Sequence, residues 1–267
     1  MRNALLFDLD DTLIVEEPAA AAAFYATAQV AATRYDIDPA TLATEARSRA
    51  RELWYAAPTH DYCMRVGISS WEGLWCKFEG DVPEVQALRD WSPVYRNEAW
   101  RLALADQEVE DSKLAEELAE RFDVERRARH EVFADVAAPL NRLQESHSLA
   151  LVTNGAACLQ REKLAASGLS DYFEVVVVSA DLGVAKPDAS IFEHALSQLG
   201  VDADRAVMVG DSISKDVEGA LAAGLEAVWV NRDERPAPPD RENLAEIMTL
   251  SDLPDALGKL LGSAAIK

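Results

Sequence analysis

The chain has 267 residues, of which 26 are Lys or Arg and 47 are Asp or Glu, so its formal net charge is −21. That length accommodates one large domain or two modest ones with a sizeable core. The acidic balance argues against a nucleic-acid backbone or an anionic membrane as partner, because either would be repelled over a broad surface, so an anionic substrate has to be attracted locally, by a metal or a few lysines.

Three cysteines, Cys63, Cys76 and Cys158, show no CxxC spacing, which points away from a disulfide framework or a zinc site and toward a reducing compartment. The N-terminal apolar run is too short for a signal peptide, and no later uncharged stretch is long enough to cross a bilayer. A soluble, cytoplasmic protein is expected.

Asn3 to Phe7 reads as a buried parallel strand, being continuously apolar rather than alternating. From Pro18 the pattern is helical, with an alanine run and Phe24, Ala28 and Ala31 at helical spacing. A second helix is expected from about Pro39 through Trp54, stopping before Pro58. A third opens on the capping-box signature Ser69-Ser70-Trp71-Glu72, followed by Leu74, Trp75 and Phe78. Next comes a helix from about Val85 to Leu104, which Pro93 should kink or split. Another runs from about Ser112 to Arg129 with Leu114, Leu118 and Phe122 on one face. Between Ile14 and His130 no strand is expected.

Beyond Phe133, strands and helices alternate. Strands are predicted at Ser148 to Thr153, Phe173 to Ser179, Ala206 to Val209 and Ala227 to Val230. The helices between them, Cys158 to Ala166, Ser190 to Leu199 and Lys215 to Ala223, are closed by Gly168, Gly200 and Gly224. A Pro-rich loop from Arg235 to Asp240, an edge strand near Ile247 and a helix from Pro254 to Leu261 complete the chain. This alternation implies an α/β fold, a doubly wound parallel sheet. The helical block then has to be an insertion, and the expected domains are 1–15 with 133–267 as a Rossmann-like core and 16–132 as an all-helical cap.

Four strand ends or loops carry unusual polar residues: Asp8-Leu9-Asp10-Asp11-Thr12, Thr153-Asn154-Gly155, Lys186-Pro187-Asp188, and Gly210-Asp211-Ser212 with Asp216. In open parallel sheets ligands bind outside the carboxyl ends of the strands. In order and context, these segments resemble the four motifs of the haloacid dehalogenase superfamily: DxDxT, a Ser/Thr strand end, a lysine, and GDxxxxD. The resemblance covers the whole chain, and the helical insertion is similar to that superfamily's cap.

The resemblance implies a phosphatase whose nucleophile is Asp8 and whose general acid and base is Asp10. It implies Mg2+ held by Asp8, the backbone carbonyl of Asp10, and Asp211, with Asp216 as an outer or lysine-orienting acid. Thr153, Asn154, Gly155 and Lys186 would bind the phosphoryl group of a small phosphorylated metabolite. The chemistry is coherent: a carboxylate nucleophile divides a difficult hydrolysis into two steps, and oxygen-only ligation suits a hard cation.

Local readings compete at some positions. Asp11 and Thr12 suit a turn or a backbone hydrogen bond, and Asp216 suits the start of a helix. His60, Cys63, Arg65 and Trp71 of the insertion fit ordinary packing or solvent exposure. Other chemistries of the superfamily stay open. Haloalkanoate dehalogenases typically lack an acid at position 10, mutases usually have Gly where Asp11 stands, and a phosphonate hydrolase would need an insertion lysine, of which Lys77 and Lys113 are the only two. A non-catalytic phosphate-binding protein is the reading from outside enzymology. A monomer or homodimer is expected, the latter if Trp71 or Trp75 is exposed.

Overall fold

The computed structural model describes residues 3–236 and 242–264; residues 237–240 of the expected Pro-rich loop lie outside them. The chain separates into two compact units. One comprises Met1–Val15, Val132–Asn154 and Leu164–Lys267, the other Glu16–Glu131 and Gly155–Lys163.

The first unit is built on six parallel strands: β1 (Asn3–Phe7), β2 (His147–Thr153), β3 (Val175–Val178), β4 (Ala206–Gly210), β5 (Glu226–Val230) and β6 (Leu244–Ile247). Their order is β3-β2-β1-β4-β5-β6, so the winding reverses at β1. Strand β1 is buried on both faces because its residues alternate between two cores. Leu5 and Phe7 pack with Leu140 of α7 (Ala137–Leu143) and with Leu253 and Leu257 of α12 (Leu253–Ala264). Ala4 and Leu6 pack with Ile191 and Phe192 of α10 (Ala189–Leu199) and Ala220 of α11 (Glu218–Ala222). Phe7 lies in register with both Leu151 and Val209, which brings the ends of β1, β2 and β4 side by side.

The helical unit contains α1 (Glu17–Ala32), α2 (Pro39–Trp54), α3 (His60–Val66), α4 (Ser70–Gly73), α5 (Pro83–Asp106) and α6 (Ser112–Arg127). Local chemistry sets several boundaries. Asp38 and Asp111 cap α2 and α6 by accepting from the N–H groups of Thr41 and Leu114 at 2.8 and 3.0 Å. Phe24, Trp100 and Phe122 join α1, α5 and α6, with the two phenyl rings 4.4 Å apart. Trp75 is fully buried and Trp71 is half-buried beneath the Arg47 guanidinium, so neither is an exposed dimer anchor.

Two expectations are corrected here. Helix α5 is not split at Pro93 and continues through it. Proline removes the N–H that would bond Arg89 O, and the Ser92 hydroxyl donates to that carbonyl at 3.3 Å instead. Conversely, the capping box at Ser69 and Glu72 forms, but α4 ends after one turn. Gly73 lies against the Trp54 ring, where a Cβ would come within 2.3 Å, and the following Leu74, Trp75 and Cys76 bury themselves as loop.

Deep in this unit Glu16 accepts from Arg126 through both oxygens at 2.9 Å, with the Lys163 ammonium 3.3 Å away. Arg126 also lies over the Trp75 indole at 4.7 Å. One buried carboxylate thus separates two buried cations. Glu16→Ala should destabilise the protein by about 3–5 kcal/mol, because it leaves those cations uncompensated; urea denaturation measures the loss.

Candidate active site

The end of β1 turns sharply. Asp8 N–H still donates to Val209 O of β4 at 2.9 Å, after which Leu9 to Ile14 form a tight loop closed by Leu13 N–H to Leu9 O at 2.9 Å. Asp11 sits at φ +57°, the left-handed region in which Asp is tolerated far better than a branched residue. Glycine and aspartate are therefore the natural occupants of that position. Thr12 is buried, and its hydroxyl accepts from the Asp211 N–H at 3.0 Å, tying the β1 loop to the β4 loop.

Lys186 is the centre of charge. Its Nζ lies 2.5 Å from Asp8 Oδ1 and 2.7 Å from Asp216 Oδ1, and donates to Val152 O at 2.7 Å. Its backbone is held by Asn154: Lys186 N–H donates to Asn154 Oδ1 at 2.9 Å, and Asn154 Nδ2 donates back to Lys186 O at 3.0 Å. The Asn154 side chain is thus engaged by the lysine loop in both directions. Asp216 is 1% exposed, and its second oxygen accepts from the Ser212 N–H at 2.9 Å. Thr153 ends β2 and is buried, and Asp10 is half-buried beyond β1. Gly155 has φ +137° and belongs to the helical unit, where a Cβ would come within 2.6 Å of Glu72 Oε1.

Three carboxylates, Asp8, Asp211 and Asp216, place one oxygen each within 4.8 Å of one another. Burial pushes the Asp8 carboxyl up to about 8; Lys186 opposes that rise while Asp216 and Asp211 add to it. Burial also pushes Asp211 up to about 6, again with help from Asp216. Burial would lower the Lys186 ammonium, but Asp216 and Asp8 more than reverse this and hold it protonated. Among the described residues, three crowded acids face only the buried Lys186 and the more exposed Arg235, which leaves excess negative charge at a largely buried site. An oxygen-only donor set of that kind fits a hard divalent cation.

Residues 3–224 match the haloacid dehalogenase-like hydrolases. The chain belongs to that family. It is 37% identical over 237 residues to a phosphoserine phosphatase of Thermus thermophilus, covering 88% of this chain and 91% of that one. It is also 37% identical over 150 residues to the pyrimidine 5'-nucleotidase YjjG of Escherichia coli, covering 52% of this chain and 65% of that one. Among solved structures, a 2-haloacid dehalogenase from Pseudomonas syringae pv. Tomato is 30% identical, with 97% of this chain and 99% of that one covered and a TM-score of 0.61.

Several residues that shape the site of this hydrolase carried no recognisable signal in one dimension. The Trp229 indole N–H and an Arg235 N–H donate to Asp211 O at 2.8 and 2.7 Å, and the Arg235 guanidinium is 3.5 Å from Asp211 Oδ2. Gly219 lets α11 approach the lysine loop, since a Cβ there would be 2.8 Å from Pro187 Cα. The glycine of the GD pair has a steric role, because a Cβ on Gly210 would lie 2.4 Å from Asp216 Cγ. Gly210→Ala should therefore displace Asp216 from Lys186 and lower stability by about 1–3 kcal/mol, the usual cost of overpacking. Calorimetry would show this as a reduced Tm.

Proposed function

We propose that this hydrolase is a phosphomonoesterase for small phosphorylated metabolites, working through an aspartyl-phosphate on Asp8. The observation that carries the reading is the Lys186 ammonium between Asp8 and Asp216, 2.5 and 2.7 Å away, at the strand ends where the sheet reverses. A nucleophilic carboxylate has to meet a phosphate dianion, and that encounter is repulsive unless fixed positive charge is present. The activities named for the Thermus and Escherichia relatives, on phosphoserine and on pyrimidine nucleotides, support the same reaction class.

In this reading the Asp8 carboxylate attacks phosphorus, and Lys186 balances the charge on Asp8 and the transferring oxygens. Asp10 protonates the departing alkoxide and then takes a proton from the water that hydrolyses the acyl phosphate. Thr153 contributes a hydroxyl, and Asn154 and Gly155 contribute amide donors at the start of the following helix, while Asn154 also fixes the lysine loop. Both Asp216 oxygens already have partners in Lys186 and Ser212, which suits orientation of the lysine. Asp8, the Asp10 carbonyl and Asp211 would hold Mg2+, which neutralises charge on the phosphoryl oxygens when bound. Thr12 supports Asp211 from behind. The helical insertion, residues 16–132, is assigned the part of a cap that discriminates leaving groups.

The dehalogenase likeness favours a second reading, hydrolysis of a carbon–halogen bond. A departing halide needs no proton, so Asp10 would have no task in it, whereas an alkoxide does. The purified protein should hydrolyse p-nitrophenyl phosphate with Mg2+ and lose that activity in EDTA. Asp8→Asn should abolish turnover, and Asp10→Asn should lower kcat by about a hundred- to ten-thousand-fold, the usual range for a general acid. No turnover across a broad phosphomonoester panel, with turnover on a haloalkanoate, would favour the second reading.

A further inference from the structure

Cys76 and Cys158 are 82 positions apart, yet their sulfurs lie 3.6 Å from each other within the helical unit. Their surroundings differ. Cys76 is fully buried in the stretch after α4, where its Sγ accepts the Phe78 N–H at 3.3 Å and its carbonyl accepts from Arg96. Cys158 is partly exposed and is the second residue of α8 (Ala157–Ala166).

We propose that Cys158 and Cys76 form a peroxide-responsive dithiol, with Cys158 the attacking sulfur and Cys76 the resolving one. The first turn of a helix favours a thiolate over a thiol, and a partly exposed position admits a small oxidant. The contact with Cys76 acts in the same direction, and the Cys158 thiol is drawn down to about 6 by it, against a smaller opposing effect of burial. Burial instead raises Cys76 well above its ordinary value and keeps it a thiol until its partner is oxidised. The third cysteine, Cys63, is fully buried, and burial pushes its thiol up to about 12, which makes it an internal control.

The chemistry balances with hydrogen peroxide as the only oxidant. The Cys158 thiolate attacks one peroxide oxygen, the O–O bond breaks, and the departing hydroxide takes a proton to leave as water, giving a sulfenic acid on Cys158. The Cys76 sulfur then attacks the Cys158 sulfur. The S–S bond forms as the S–O bond breaks, and the Cys76 proton leaves with the hydroxide as a second water. Two thiols lose two electrons and one peroxide becomes two waters. Closure brings the sulfurs from 3.6 Å to a bond of about 2.05 Å. The resulting bond staples the first turn of α8 to the segment after α4, beside the existing link from Gln160 Nε2 to Glu72 Oε1 at 3.0 Å.

The test is to expose the full-length protein to hydrogen peroxide, remove the excess, alkylate under denaturing conditions and map the peptides by mass spectrometry. The expected result is a mass loss of two hydrogens, a linked pair of peptides carrying Cys76 and Cys158, alkylation at Cys63, and recovery of all three thiols with dithiothreitol. In Cys76→Ser, oxidation should stop at a sulfenic acid on Cys158 that dimedone traps; in Cys158→Ser, position 76 should stay a thiol. Wild-type protein in which Cys158 proceeds to sulfinic acid while Cys76 remains alkylatable would overturn the proposal, as would oxidation of Cys63 as fast as Cys158. The wild-type map decides the matter without either variant, and it is independent of any phosphatase assay.

Discussion

The ion pair from Lys186 to Asp8 is the constraint around which the sheet unit is arranged. A carboxylate at the end of a strand buried on both faces is strongly disfavoured unless a cation accompanies it. The cation comes from a loop 178 positions away along the chain, and the remainder of that unit serves to bring the two together. The register of β1 with β2 and β4 aligns the strand ends. Asn154 grips the lysine backbone from both sides. Gly210 and Gly219 remove side chains where Asp216 and Pro187 need the space.

The balance at this site is left incomplete. Asp8 and Asp211 are both displaced upward from the carboxylate range, by burial first and then by the neighbouring charge of Asp216. In a structure stabilised only by its own groups this crowding would be a defect. In the phosphatase proposed above it would be a stored demand for positive charge, to be answered by a bound cation.

The helical unit solves a different electrostatic problem. Glu16, Arg126 and Lys163 form a buried triad in which the carboxylate keeps two cations apart, and Trp75 covers the guanidinium with its ring face. Around it, aromatic contacts among Phe24, Trp100 and Phe122 supply the apolar packing. Because the triad draws on residues 16, 126 and 163, the first part of α8 belongs to this unit although the sequence places it among the strands.

Much of this was legible in one dimension. Strand β1 was readable from the apolar run Ala4 to Phe7, the parallel sheet from alternating strands and glycine-closed helices, and the insertion from the absence of strand patterns over more than a hundred residues. The acids and the lysine were legible because strand ends concentrate polar residues where a core would reject them. Pro93 does not split α5, and the Arg89 carbonyl left without its N–H partner accepts from the Ser92 hydroxyl, a contact that only the folded helix supplies. The capping box at Ser69 misled because it sets where a helix begins and carries no information about where it ends. The sequence by itself determined which residues are chemically out of place in a core, since that depends on residue type and local period. Only the tertiary structure decided which of them meet: Lys186 with Asp8, Trp229 and Arg235 with Asp211, and Cys76 with Cys158. Those encounters depend on strand order and side-chain packing across long separations, which no local pattern encodes.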